Sequence, residues 1–272
     1  MKYYFIILLI LFYIYSYNNY HIYPDTNIKI YNNILYKYNY YTKIEKNIPF
    51  IINYNNSNIN NLLNTNILLQ KYGNTKVNII ENINYISINN IPKIKNIILK
   101  KYINEYIYKN NNSYYLKSED KYNLLQDLDI EKNLINEFKL FKSPNSIKES
   151  ISFWYGATNT ITPFHYDCDH ANLLYIIEGS KRIYMVHPNY EKYMKGDTKI
   201  QYGASWSSRS IDNVIINLKN NNIQYEEIIL RKGQLLNIPR YWWHCVINIE
   251  PTMAITYHYY TFSSFFIPYK TL

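Results

Sequence analysis

The chain has 272 residues, of which 47% are hydrophobic and 18% are charged. This apolar content is normal for a globular core, so it excludes disorder over the whole chain, and the length allows one large domain or two small ones. The formal net charge of +9 favours acidic partners, nucleic acid or an anionic membrane. The basic residues are scattered, however, and form no arginine-rich block, so nucleic-acid binding is permitted but not favoured. Two cysteines, Cys168 and Cys245, are too few for a disulfide framework.

The N-terminal segment reads MKYYFIILLILFYIYSYNNY. Its apolar run is shorter than the ~20 residues of a comfortable membrane span but suits the hydrophobic region of a signal peptide. We expect residues 1–18 to be a secretory signal or an uncleaved signal-anchor, which would place the protein in the secretory pathway or on a membrane. The alternatives are a buried strand or helix and a cytoplasmic protein. Residues 19–47, which include His21, have no clear period and predict a linker or peripheral segment.

Residues 48–150 form the predicted helical part of one domain that covers residues 48–272. IPFIINY (48–54) and VNII (77–80) are short strand candidates. Helical spacing in NLLNTNILLQKYG (61–73) predicts a helix that stops at Gly73. Two further helices are predicted, one from Ile94 to Lys109 on an apolar stripe and one from about Asn123 to Phe141.

From residue 151 to 272 the sequence changes to short apolar and aromatic runs separated by Gly, Pro or Asn. These runs are ISFWYGA, NLLYIIEG, KRIYMVHP, EEIILRKG, QLLNIPRYWWHCVINIE and MAITYHYYTF. Their length and spacing predict strands of an all-β sandwich or barrel. The expected fold class is therefore mainly β with preceding helices (α+β). The C-terminal FSSFFIPYKTL (262–272) is expected to complete the core rather than to form a dimer seam.

The stretch TPFHYDCDH (162–170) concentrates potential metal ligands. His165 and Asp167 are two residues apart, and on a strand this spacing points both side chains to the same face. A third ligand is available in IPRYWWHCV, where His244 lies 77 positions after Asp167. Two histidines and one carboxylate form the facial triad of non-haem Fe(II) oxygenases, whereas an isolated H-x-D pair is more often a solvated surface pair. A competing set would use Asp169 and His170, but adjacent residues face opposite sides of a strand.

TPFHYD, NLLYIIEGSKR and RKGQLLNIPRYWWHCV in combination resemble the JmjC/cupin-like (cupin-8) family of Fe(II)- and 2-oxoglutarate-dependent oxygenases. The resemblance is in particular to the branch that contains the asparaginyl hydroxylase of hypoxia-inducible factor. The match is tightest over residues 151–260 and extends more loosely to about Ile48 through PFIINY and SYYLKSED. This resemblance implies a double-stranded β-helix (jelly-roll) barrel, with His165, Asp167 and His244 as ligands of Fe(II), and with 2-oxoglutarate and dioxygen as cosubstrates.

The resemblance also implies residues that bind 2-oxoglutarate. Lys181, in the G-x-K motif at 179–181, is the implied partner of the distal carboxylate, because an anion inside a barrel needs a fixed counter-ion. Thr162 is the implied hydroxyl donor to the same carboxylate. Tyr115 in SYYLKS is expected to add a phenolic donor from outside the motif.

Two positions depart from the pattern of the family. Asn172 is expected near the cosubstrate, but the distance along the chain from Asp167 to Asn172 is one residue longer than in the compared hydroxylase. We expect the loop CDHA to absorb this residue as a bulge. His258 stands where the family commonly has asparagine, and it is expected to line the pocket, to act as an additional donor or to disturb cosubstrate binding. Trp242 and Trp243 are expected in the core and pocket wall, where they order the metal histidine.

The reaction implied by the resemblance is oxidative decarboxylation of 2-oxoglutarate coupled to hydroxylation of a C–H bond, which requires no protein general base. A protein side chain is the first expected substrate, because short single-barrel members mostly resemble such hydroxylases and the sequence holds no Cys/His zinc cluster. A tRNA-base or small-molecule hydroxylase is the second hypothesis. The third is a non-catalytic cupin-fold binding module. The sequence does not separate hydroxylation from demethylation.

Overall fold

The structure, a computed structural model, describes residues 2–20, 29–31, 37–87, 90–118, 124–194, 200–201, 204–262 and 264. Parts of the predicted linker, including His21, lie outside the described residues. The same holds for most of the C-terminal segment that is expected to complete the core.

Helices and short strands alternate in the first half, and strands dominate the second. The helices are α1 (Lys2–Tyr20), α2 (Lys37–Glu45), α3 (Ser57–Leu62), α4 (Thr65–Tyr72), α5 (Leu99–Tyr102), α6 (Leu124–Asp127), α7 (Glu131–Glu137), α8 (Glu191–Met194) and α9 (Ile211–Asn220). The strands are β1 (Lys29–Tyr31), β2 (Phe50–Asn53), β3 (Lys76–Glu81), β4 (Ile94–Ile98), β5 (Tyr114–Ser118), β6 (Ser146–Gly156), β7 (Ile161–Asp167), β8 (Ala171–Glu178), β9 (Ser180–Val186), β10 (Ile200–Gln201), β11 (Ala204–Trp206), β12 (Glu226–Arg231), β13 (Gln234–Asn237), β14 (Trp243–Asn248) and β15 (Thr252–Thr261).

Within the described residues the strands form two sheets. The larger has nine strands in the order β1-β2-β13-β8-β15-β6-β5-β3-β4, and the smaller has six in the order β10-β11-β7-β14-β9-β12. Neighbouring strands are antiparallel except β1 and β2. This arrangement confirms the predicted mainly β fold with a jelly-roll barrel.

The central strands of the larger sheet, β13, β8 and β15, are buried on both faces. Strand β8 shows the pattern, because Leu173, Tyr175 and Ile177 belong to the core beneath the N-terminal helices, whereas Leu174 and Ile176 belong to the core between the two sheets. Strands covered on both sides are apolar at nearly every position. This double burial explains why the strand sequences are continuous apolar runs rather than alternating ones.

The outer face of the smaller sheet is covered by α8 and α9. Trp243 and Cys245 of β14 pack in one cluster with Val214 and Leu218 of α9. Helix α9 was not predicted, although Ser210 caps its first turn by accepting a hydrogen bond from the amide of Asn213. Apolar residues three, four and seven positions apart from Ile211 onward were the available signal.

The predicted helix from Ile94 to Lys109 is wrong over its first five residues. Ile94–Ile98 form strand β4 at the edge of the larger sheet, paired with β3. The helical conformation begins only at Leu99, in α5, and continues as a π-helix over Ile103–Ile107. Isoleucine favours strands, and the pairing with β3 overrides the apolar spacing. The predicted helical part, 48–150, thus contains four complete strands, β2 to β5, and the beginning of β6 beside its helices.

Helix α1 has 19 residues, and its side chains from Tyr4 to Ile14 are exposed. No helix of the described part of the chain combines the length and apolar character needed to cross a membrane. The secretory signal over residues 1–18 stays a prediction.

A buried tyrosine joins the helical layer to the larger sheet, and its hydroxyl yields a stability prediction. Tyr102 donates to the carbonyl of Tyr155 (2.5 Å) and accepts from the amide of Leu116 (3.1 Å). We expect Tyr102→Phe to lower the free energy of unfolding by about 2 kcal/mol, because both backbone groups lose their partner inside the protein. Tyr106→Phe is the control, since this half-buried ring stacks on Tyr102 and packs edge-on against Tyr114, and both ring contacts persist in phenylalanine. Equal urea midpoints for the two variants would contradict the prediction.

Candidate metal centre

The ladder between β7 and β14 places two histidines directly opposite each other. His165 pairs with His244, and the register then shifts so that Val246 faces Thr162. The extra residue lies on β7 beside Pro163, which has no amide hydrogen for the ladder and is tolerated in strands mainly at bulges. The opposed pair brings the two imidazole centroids to 4.1 Å.

The carboxylate of Asp167 completes the cluster. Its Oδ1 lies 3.7 Å from Nε2 of His165, and its Oδ2 lies 3.5 Å from Nε2 of His244. The ligand atoms of the three residues all lie within 4.8 Å of one another. Ligands bound to a metal at about 2.1 Å and at right angles are about 3 Å apart, so these donors need to contract only slightly around an ion.

Both imidazoles are oriented by backbone carbonyls. Nδ1 of His165 lies 2.8 Å from the carbonyl oxygen of Pro163, and Nδ1 of His244 lies 2.9 Å from that of Trp242. Each Nδ1 therefore carries the proton and donates it, which leaves each Nε2 with a free lone pair. Such hydrogen bonds are typical of metal-binding histidines, because they fix the tautomer and the orientation of the ring.

The cluster is shielded by aromatic side chains. The ring of Trp206 stacks on His165 at 4.4 Å, with 13° between the planes. Burial, followed by the nearby His244, lowers the pKa of His165 well below its usual value. The ring is therefore neutral at neutral pH, which is the form that binds metals. Burial also raises the pKa of Asp167, which disfavours the charged carboxylate. A bound cation would act in the opposite direction and favour the charged form.

The two positions that depart from the family pattern both lie beside the cluster. Asn172 donates its side-chain amide to Oδ2 of Asp167. His258 pairs with Asn172 across β15 and β8, and its Nε2 lies 3.3 Å from the hydroxyl of Ser152. Its Nδ1 lies 3.5 Å from Oδ2 of Asp169. Residues 168–170 connect β7 to β8, and the absorption of an extra residue by this loop stays a prediction.

A cavity of about 190 Å³ adjoins the cluster, and Thr162, Lys181, Asn172 and His258 line it. The ammonium of Lys181 is buried and donates to Oδ1 of Asn248 (2.8 Å). No other hydrogen bond to this ammonium is found among the described residues, and an ammonium has three donors. Burial lowers the pKa of Lys181 to about 7.

The backbone conformation explains why the G-x-K motif begins with glycine. Gly179 connects β8 to β9 with φ +78°, and a Cβ at this position would lie 2.3 Å from the carbonyl oxygen of Pro251. Only glycine adopts this conformation without strain. The tight turn sets the register of β9 and thereby points Lys181 into the barrel.

The remaining predicted residues lie elsewhere. Tyr115 does not line the cavity, whereas Lys117, two residues later on β5, does. His170 is not part of the cluster, because its Nε2 lies 3.0 Å from Oε1 of Glu45. His187 accepts a hydrogen bond from the amide of Asn189 just after the end of β9.

Comparison with known proteins identifies the family. A family model described as a cupin-like domain matches residues 45–265. The chain belongs to this family. HSPB1-associated protein 1 of Homo sapiens is 30% identical over 137 residues, or 49% of this chain and 26% of that protein. JmjC domain-containing protein C of Dictyostelium discoideum is 30% identical over 136 residues, or 46% of this chain and 32% of that protein.

A third relative is the lysine-specific demethylase JMJ30 of Arabidopsis thaliana, 28% identical over 112 residues, which are 40% of this chain and 25% of that protein. The chain thus spans about a quarter to a third of the length of these three relatives. The cupin-like domain and the JmjC names of relatives confirm the predicted family of JmjC/cupin-like oxygenases that use Fe(II) and 2-oxoglutarate.

Two residues of this cupin-like site were not predicted from the sequence. Asn248 fixes Lys181, and its own amide donates to the carbonyls of Gly156 (3.0 Å) and Ala157 (3.1 Å), so its oxygen is turned toward the ammonium. Trp206 lies on a three-residue strand that follows residues outside the described part of the chain. Neither residue belongs to a motif, so only their three-dimensional proximity reveals them.

The ligand set yields a prediction about metal binding. We expect His165→Ala and His244→Ala to weaken Co(II) binding more than about 100-fold, since loss of an outer partner alone costs 10–100-fold. His187→Ala is the matched control and should bind as the wild type does. Equilibrium dialysis, with circular dichroism as the check of folding, measures both. Unchanged Co(II) affinity in either ligand variant would exclude this cluster as the metal site.

Proposed function

We propose that the protein is an Fe(II)- and 2-oxoglutarate-dependent dioxygenase that hydroxylates a protein side chain. The observation that carries this proposal is the cluster of His165, Asp167 and His244, in which two Nε2 atoms and a carboxylate converge beside a cavity. This donor set is the facial triad of non-haem Fe(II) oxygenases.

The residues of the site fit both Fe(II) and 2-oxoglutarate. Two oriented imidazoles and one carboxylate, His165, His244 and Asp167, would hold Fe(II) on one side. Lys181, with Thr162 beside it on the cavity wall, would hold the distal carboxylate of 2-oxoglutarate. Bound together, these groups supply the chemistry that couples oxidation of 2-oxoglutarate by dioxygen, to succinate and carbon dioxide, with insertion of one oxygen atom into a C–H bond.

The protein's own residues would perform positioning and shielding. The carbonyls of Pro163 and Trp242 keep both Nε2 atoms deprotonated and directed at the ion. Asn172 holds one oxygen of Asp167 by its amide, which fixes the rotation of the carboxylate. Trp206 covers one face of His165 and excludes water from that side of the centre. No side chain is needed as a general base, since the oxidation is carried by the cofactors.

The names of two relatives favour a protein substrate. One relative is named for association with HSPB1, and another is named a lysine-specific demethylase. Both names refer to proteins as partners or targets. Hydroxylation is proposed over demethylation because basic side chains line this cavity, Lys117 and Lys148 among them, and would repel a cationic side chain.

Turnover is the first test of this proposal. We expect the wild type to release succinate from 2-oxoglutarate only with Fe(II) and dioxygen, and Asp167→Ala to reduce the rate roughly 100-fold or more, because the carboxylate ligand is lost. Asp212→Ala changes the same residue type on the exposed side of α9 and should keep the wild-type rate. Full turnover in Asp167→Ala would remove the iron assignment. A wild type that binds Fe(II) and 2-oxoglutarate without succinate release would instead be a binding module.

The buried ammonium predicts a pH dependence of cosubstrate binding. Burial lowers the pKa of Lys181 to about 7, so this group is charged below that pH and largely neutral above it. A carboxylate needs the charged form, and binding above the pKa must therefore take up a proton. We expect the affinity for 2-oxoglutarate to be nearly constant below about pH 7 and to fall up to ~10-fold per pH unit above it.

Calorimetry with Mn(II) in place of Fe(II) measures this dependence directly. Lys181→Arg keeps a charge that is not lost below about pH 12, so any affinity it retains should not fall between about pH 7 and pH 9. A wild-type affinity that is constant over the same range would contradict the assignment of Lys181 as the anchor.

A further inference from the structure

The proposed reaction uses only some of the charged groups that line the cavity. Among the described lining residues, the carboxylates are Asp167 and Asp169, and the ammonium groups are Lys117, Lys148 and Lys181. Asp167 is assigned to the metal, Lys181 to 2-oxoglutarate, and Asp169 lies 3.5 Å from His258. The other two charged side chains of the described lining, Lys117 and Lys148, are both positive. The surface offered to the substrate is therefore basic.

Lys117 lies at the side of the metal centre. Its side chain is half-buried on β5, and its Nζ lies 5.0 Å from the ring centre of Trp154 and 6.0 Å from that of Trp206. Trp206 in turn stacks on His165. The ammonium is thus separated from a metal ligand by one aromatic ring, close enough to meet a group that reacts there.

Lys148 lines the same cavity at its open end, away from Lys117. It is exposed and stands on β6, six residues before Trp154, and it pairs with Tyr260 of β15. Six residues of strand span roughly 20 Å. Ser150, the next lining residue inward, pairs with His258 at the level of the metal cluster. The two cations therefore mark a path along β6 that passes the metal centre.

We propose that the substrate is an acidic segment of a protein, bound in extended form along β6, with one carboxylate side chain held by Lys117 beside the metal centre and a second at Lys148. This inference rests on the proposed function and adds the class of substrate to it. The net charge of +9 would steer an acidic partner to the protein. A length of roughly 20 Å requires a chain of several residues rather than one free dicarboxylate.

Two other classes of substrate fit less well. A methylated or free lysine side chain would bring a cation to Lys117, and like charges at close range are repelled. A flipped nucleobase needs open aromatic faces for stacking. His165 covers one face of Trp206, and the indole of Trp154 is fixed by a hydrogen bond to the hydroxyl of Thr256 (3.0 Å) and lies against Lys117.

Three pools of synthetic peptides test the inference on the full chain. The pools share random central residues and differ only in their flanks, which are Asp/Glu, Asn/Gln or Lys/Arg. We expect the acidic pool to bind the Mn(II)- and 2-oxoglutarate-loaded protein roughly tenfold more tightly than the neutral pool, by fluorescence anisotropy. With Fe(II) and dioxygen, the acidic pool should gain the mass of one oxygen atom, and the basic pool should not.

Charge reversal identifies the residues responsible. Lys117→Glu and Lys148→Glu should each weaken binding of the acidic pool roughly tenfold and strengthen that of the basic pool. Lys219→Glu, on the exposed side of α9, makes the same charge change away from the cavity and should leave both affinities unchanged. Lys117→Gln, which removes charge but keeps polarity, should raise the KM for the acidic pool more than the KM for 2-oxoglutarate.

Several outcomes would overturn the inference. These are equal affinity for the three pools, an unchanged preference in Lys117→Glu, and stimulation of turnover by free aspartate or glutamate equal to that by the acidic pool. Displacement of the acidic pool by a tRNA transcript that itself gains oxygen would identify a nucleic-acid substrate instead. Succinate release by the wild type without peptide distinguishes failure of this inference from failure of the proposed dioxygenase function. Its presence without a charge preference contradicts only this inference, whereas no succinate under any condition contradicts the proposed function as well.

Discussion

The direct opposition of His165 and His244 across β7 and β14 is the constraint on which the site depends. A shift of one residue in either strand would turn one imidazole to the outer core, because side chains alternate between faces. The bulge beside Pro163 preserves this pairing and also presents the carbonyl that accepts from Nδ1 of His165. One local irregularity thus sets both the position of a ligand and its tautomer. At the other end of the cluster, the amide of Tyr241, a residue with φ +65°, donates to the carbonyl of Asp167 (3.1 Å) and ties the turn before β14 to the end of β7.

The two-sided burial of the sheets explains how a polar site is tolerated inside the barrel. The outer face of the larger sheet packs against the N-terminal helices, and that of the smaller sheet packs against α8 and α9. These two apolar layers supply most of the buried hydrophobic area, which is the main favourable contribution to folding. The inner faces can therefore carry histidines, aspartates and a buried lysine alongside apolar residues such as Leu174, Ile176 and Met185. The energetic cost of the polar lining is offset by packing outside the barrel.

Residues within one motif were predictable, and residues that depend on long-range packing were not. The two-residue spacing of His165 and Asp167 gives their shared face directly, and the G-x-K motif gives the turn that orients Lys181. His244 required the resemblance, because no periodicity links strands 77 residues apart. Tyr115 was expected beside the cosubstrate, whereas Lys117, two residues later on β5, is the residue of this strand that lines the cavity. The strand over Ile94–Ile98 was missed because its apolar spacing also fits a helix, and only pairing with β3 decides between them.

The three lysines of the cavity differ in burial in a way that matches distinct roles. Lys181 is buried, and its pKa is lowered because no carboxylate of the described chain compensates the charge. A buried cation of this kind is costly unless a ligand brings the opposite charge, so it favours an anion that fills the closed end. Lys117 and Lys148 are partly or fully solvated, where a charge costs little and can be satisfied by water. Such groups discriminate between partners rather than require one, because their main effect is repulsion of like charge. The gradient of solvation along the cavity therefore separates a fixed anion site at Lys181 from two selective cations, Lys117 beside the metal centre and Lys148 at the mouth.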